Sequence, residues 1–158
     1  MDGQFRAYFG VLRELSDVLD RLTPLAQRKA ETVRASDLTA LDEVLKQEQA
    51  LSLNLRGLEL KRQKLASLLG LDGTPLSALP ERCPTELADE ARKTADALRK
   101  SYEIYRSCAN MARSTLELNL HQIEKYLEDA GVDPKLAAQG YETPSSEPPQ
   151  KMKTDFRA

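Results

Sequence analysis

The sequence predicts an all-α fold: an elongated antiparallel three-helix bundle, running up-down-up, with a long third helix and an irregular C-terminal tail. Three observations carry that expectation. Thr85 to Ala130 is a run of 46 residues without one Gly or Pro, closed by Gly131 and followed by a proline-rich stretch. A periodic run much longer than about 25 residues reads as a coiled coil or a long bundle helix. The composition, 41% hydrophobic and 30% charged with three Phe, five Tyr and no Trp, suits helices whose Leu/Ala seams need few rings. Apolar residues recur at alternating steps of three and four, the period of a helix with one buried face.

The first helix is expected over residues 2–34. Its stripe is Phe5, Tyr8, Leu12, Leu15, Leu19, Leu22, Ala26 and Val33, with Lys29 inside it. Pro24 removes one backbone hydrogen bond and crowds the carbonyl of Asp20. Because the apolar phase survives across it, a kink is favoured over a break. Ala35-Ser36-Asp37 supplies a turn in which Ser36 or Asp37 caps the next helix through a side-chain oxygen.

The second helix is expected over 37–69. Its stripe reads Leu38, Leu41, Leu45, Leu51/Ser52, Leu55, Leu58, Leu65 and Leu69, with Glu48 and Arg62 where apolar residues belong. An unpaired buried charge costs several kcal/mol, so those two are expected to snorkel at the edge of the seam. Gly70 sits where a left-handed cap is wanted, and Gly73, Pro75, Pro80 and Pro84 make 71–84 the connecting loop, with room for one helical turn at Pro75 to Leu79.

The third helix is expected over 85–130. Its seam opens on Ala88, Ala91 and Ala95, widens at Leu98, Tyr102 and Tyr105, narrows at Ala109 and Ala112, and continues through Leu116, Leu120, Ile123, Leu127 and Ala130. In an up-down-up bundle its small start faces Phe5, Tyr8 and Phe9, large against small. Residues 1–130 therefore read as one bundle domain. Residues 131–158, with four prolines and balanced charges, read as a tail that builds no core of its own.

Helix lengths carry the functional expectation. Two helices of about 33 residues span roughly 50 Å, and the third is about 20 Å longer. With this topology the excess, roughly residues 118–130, emerges beyond the 34–37 turn. It keeps a bundle-quality stripe, Leu116, Leu120, Ile123 and Leu127, with Leu118 and Tyr126 beside it. An apolar stripe without an intramolecular partner marks a protein-binding site. The chain's own tail, through Leu136, Tyr141, Met152 or Phe156, is the competing cover, and a tail that covers a partner groove is displaceable. Asn119 falls on the continued seam, where a polar residue fixes register or marks incomplete burial.

Other classes are disfavoured. The 23 basic and 25 acidic residues are interspersed and sum to a formal charge of -2, so no broad field attracts nucleic acid. The run Lys61-Arg62-Gln63-Lys64 reads as a solvated helix face. No apolar run approaches the ~20 residues that span a bilayer, and the first residues lack the apolar core of a signal peptide. Cys83 and Cys108 stand in no metal-ligand spacing and fit plain thiols in a reducing, cytoplasmic compartment. A single histidine, His121, excludes a di-iron bundle built on paired Glu-x-x-His elements, and no phosphate loop or nucleophile elbow is present. The expectation is a protein that is not an enzyme and needs no cofactor. Self-association into a homo-oligomer is left open.

The arrangement of residues 37–131 resembles the FlgN family of flagellar export chaperones. The resemblance rests on Asp37 followed by Leu41 and Leu45, on Leu58-Glu59-Leu60-Lys61-Arg62 leading to Leu65, Leu69 and Gly70, and on Asn110 followed by a long amphipathic stretch. Tyr141 resembles a tyrosine that the family carries beyond its last long helix. The resemblance implies a cytoplasmic chaperone that holds C-terminal segments of the flagellar hook-associated (hook-filament junction) proteins through its own C-terminal region. It implies delivery to the flagellar export gate or ATPase complex, with Tyr141 contributing to docking there. The rival reading is another helical secretion chaperone or a coiled-coil adaptor, with ligand-binding bundles behind it.

Overall fold

The computed structural model describes residues 1–131, which form four helices and no strand. They are α1 (Asp2–Arg34), α2 (Leu38–Leu68), a short α3 (Leu79–Arg82) and α4 (Ala88–Asp129). Two 3₁₀ turns, Leu76–Ala78 and Thr85–Leu87, flank α3. The chain runs up, down and up. The proline-rich tail, with Leu136, Tyr141, Met152 and Phe156, lies outside the described residues.

α1 is the keel of the bundle. It packs along both α2 and α4, whereas no Cα of α2 comes within 8 Å of a Cα of α4. A helix gripped from two sides must be apolar over more than one narrow stripe. α1 accordingly buries Phe9, Val11, Val18, Leu25 and Ala30 beside the expected Phe5, Tyr8, Leu12, Leu15, Leu19, Leu22 and Ala26. Val33 is only partly buried. The helix continues through Pro24 without a break, and the neighbouring Thr23 hydroxyl donates to the Leu19 carbonyl at 3.0 Å.

α2 contributes a sparser seam than its sequence stripe suggests. Leu38 and Leu45 are exposed, and Val44 is fully buried in their place. The observed face, Leu41, Val44, Glu48, Leu51, Leu55, Leu58 and Arg62, alternates three and four without a slip, and Leu45 lies outside that phase. The two charges in the seam do not snorkel; they pair. Lys29 Nζ donates to both oxygens of Glu48 at 2.9 and 3.1 Å, joining α1 to α2. Arg62 grips Glu59 through Nε and Nη2 at 2.8 and 2.7 Å and reaches the Tyr8 hydroxyl at 3.4 Å. The Glu59 carboxylate keeps the Arg62 guanidinium charged against the desolvation that burial imposes.

The turns follow from terminal chemistry. Asp37 caps α2, accepting from the Ala40 N–H at 3.1 Å. Ser36 instead ends α1 in the left-handed region at φ 53, where its N–H donates to Val33 and that of Asp37 to Thr32. Gly70, at φ 68, closes α2 in the same way: Leu71 N–H donates to Ala66 at 2.8 Å and Gly70 N–H to Ser67 at 3.2 Å. The segment after it is more than a connector. Leu71, Leu79 and Leu87 are all buried and close the lower end of the core.

Candidate functional site

Three side-chain contacts fix the register of α4 on α1. Arg13 pairs with Glu90 at 2.7 Å, the Gln27 amide donates to Cys108 Sγ at 3.5 Å, and Arg34 Nη2 donates to Thr115 Oγ1 at 3.1 Å. The separations are 77, 81 and 81 residues, so the two helices run parallel and nearly in step. Arg34 is the last residue of α1. Everything on α4 beyond Thr115 therefore lacks α1 beside it, and residues 116–129 project by about 21 Å at about 1.5 Å per residue.

Burial changes at the same place. Ala91, Thr94, Ala95, Leu98, Ser101 and Ala112 are the buried residues of α4, and none follows Ala112. Tyr102 and Tyr105 are partly buried against the core, and burial pushes the Tyr105 phenol above its ordinary range, with the Glu48 carboxylate adding to the shift. Leu116, Asn119 and Leu127 are partly buried, whereas Leu120, Ile123 and Tyr126 are each more than half exposed.

The helical period sorts these residues into a surface with two edges. Leu116, Leu120, Ile123 and Leu127 share one face, continuing the seam that α4 buries lower down. Asn119 and Tyr126 border it on one side, offering an amide and a phenol. Glu117 and Glu124 border it on the other, and neither is in an ion pair among the described residues. The sequence reading missed this acidic edge because charge was weighed over the whole chain. Residues 116–129 hold four acids and one lysine, a local charge of -3 against -2 for the entire protein.

Tyr141 lies outside the described residues. His121 is exposed, and the described residues contain no group of three or more His, Cys, Asp or Glu arranged to hold a metal. None of the helices is long and apolar enough to cross a membrane among the described residues. A cleft of about 560 Å³ opens between the lower ends of α2 and α4, lined in part by Leu71, Leu76, Leu98 and Tyr102. Its charged lining groups are already engaged: Arg62 by Glu59, Arg99 by Asp96, and Asp72 by the Ser67 hydroxyl.

A family model described as FlgN protein matches residues 1–130. The chain belongs to the FlgN family. Comparison with curated proteins and with solved structures returned no match. FlgN proteins are flagellar export chaperones and not enzymes, which assigns this chain to flagellar protein binding in general terms. The matched segment ends at the tip of the α4 overhang, so the family match takes in the bundle together with the projecting helix.

Proposed function

We propose that this protein is a cytoplasmic chaperone that holds C-terminal segments of hook-filament junction proteins on the α4 overhang and delivers them to the flagellar export gate. The observation that carries the reading is the loss of helix partners beyond Thr115 while the apolar stripe continues through Leu116, Leu120, Ile123 and Leu127. An amphipathic client helix laid along that stripe takes the place that α1 occupies lower down, the helix-in-groove mode of recognition. Asn119 and Tyr126 supply polar contacts at one edge, and Tyr141 in the tail contributes to docking at the gate or its ATPase complex. No bond chemistry is required; the chaperone acts by keeping a client's apolar face out of water.

Co-purification with the C-terminal segments of the junction proteins tests this. Ile123→Asp/Leu127→Asp puts two carboxylates on the stripe, and both residues lie outside the core, so the variant folds with wild-type helicity. Client capture is expected to fall by two orders of magnitude. Unchanged capture by the folded variant overturns the overhang as the binding site.

A further inference from the structure

The back of α2, facing away from the core, carries a second apolar row. Leu53, Leu60 and Leu68 are 64%, 55% and 70% exposed. With Gly57 and Lys64 they fall within an arc of about 80° and span about 22 Å of helix. Arg56 and Lys61 border the row on its two sides, and neither they nor Lys64 form an ion pair among the described residues.

Gly57 sharpens the case. It lies inside an α-helix, where glycine is disfavoured relative to alanine, and a Cβ placed there meets nothing within 4 Å. The protein's own packing does not ask for a glycine at this position. What it provides is a notch between Leu53 and Leu60 through which another backbone can approach closely. The result is a helix-width track, apolar along its axis, notched at its centre and basic on its borders.

We propose that this face of α2 docks an amphipathic helix of another protein whose apolar stripe is flanked by Glu or Asp. Charge complementarity selects the acidic borders, because three unpaired basic groups meet them. The chain's own acid-bordered helix, the α4 overhang, does not reach it. The Arg62–Tyr8 hydrogen bond sets the track level with the start of α1, whereas the Arg34–Thr115 bond sets the overhang at the end of α1. Docking the overhang of a second copy is head-to-tail and joins unlike surfaces, a contact that gives a ring where its rotation closes and an open chain where it does not, and self-association in either form is read out below. The track and the overhang therefore sort their partners by charge.

Two designed amphipathic peptides test this on the full-length chain by fluorescence anisotropy. They share one apolar stripe and differ in flanks, all Glu or all Lys, and mutual repulsion disfavours self-association of either. The Glu-flanked peptide is expected to bind, to weaken as salt rises, and to lose at least tenfold in affinity with Arg56→Glu/Lys64→Glu. Its binding is expected to be unchanged by Ile123→Asp/Leu127→Asp, which separates this site from the overhang. Equal binding of the Lys-flanked peptide to the track, or insensitivity to the α2 substitutions, overturns the proposal. So does concentration-dependent self-association, seen by sedimentation, that the α2 substitutions abolish, because the occupant is then a second copy. Binding to anionic vesicles with no affinity for the Glu-flanked peptide overturns it as well.

Discussion

α1 and α2 are nearly equal in length, at 33 and 31 residues, and both are leucine-rich, yet they use their leucines in opposite ways. No large apolar side chain of α1 is exposed; α2 leaves Leu38, Leu45, Leu53, Leu60 and Leu68 in solvent. The difference follows from position. α1 is gripped by α2 on one side and α4 on the other, so two apolar faces find partners. Among the long helices only α1 brings its backbone within 8 Å of α2, so one face suffices for the fold and the second is left over. Apolar content that the bundle does not consume, here and on the α4 overhang, is surface of the kind that binds partner proteins.

The largest effect that would break this comparison lies in the core. Leu15 is completely buried in the core, and Leu15→Ala leaves a cavity there; a loss of about 3–4 kcal/mol is expected by urea denaturation. Leu60→Ala on the back of α2 is expected to stay within about 0.5 kcal/mol of wild type. Comparable losses from the two substitutions would show that the exposed row is a hidden part of the core.

A smaller effect is expected where the helices meet. Glu59 is nearly buried and holds Arg62 in a bidentate pair whose third contact is Tyr8 on α1. Glu59→Ala leaves the guanidinium half-buried without its anion, and a loss of about 2 kcal/mol is expected. Adding Arg62→Leu should return most of that loss, because the stranded charge is gone. A double variant no more stable than the single one would mean that the pair holds the α1–α2 seam by more than mutual compensation.

Much of this architecture was legible in the sequence, and the failures have physical reasons. Periodicity identified the three long helices, and Gly70 with its left-handed cap ended the second. Both signals are local, so chain neighbours suffice to set them. Leu38 and Leu45 were misplaced because the stripe was traced through leucines, whereas the phase of the helix puts Val44 in the core. Glu48 and Lys29 were visible as interruptions, but their pairing depends on how α1 and α2 align, which no single-helix pattern contains. The overhang followed from helix lengths alone. Its acidic edge and the basic border of α2 did not, because Glu117 and Glu124 share a side, and Arg56 and Lys61 flank one leucine row, only once each segment is wound into a helix.

The finest discrimination between the two leucine-rich helices rests on Gly57. Gly57→Ala removes a mid-helix glycine at a site with open space around it, so thermal and urea unfolding should show a gain of about 1 kcal/mol. The same methyl group fills the notch between Leu53 and Leu60, so the affinity of the Glu-flanked peptide should fall several-fold even as the fold strengthens. Opposite signs in the two measurements would mean that α2 gives up stability at this position in favour of contact with a partner. A destabilised variant would instead make Gly57 a requirement of the bundle itself, and the back of α2 would then belong with α1, as structure rather than docking surface.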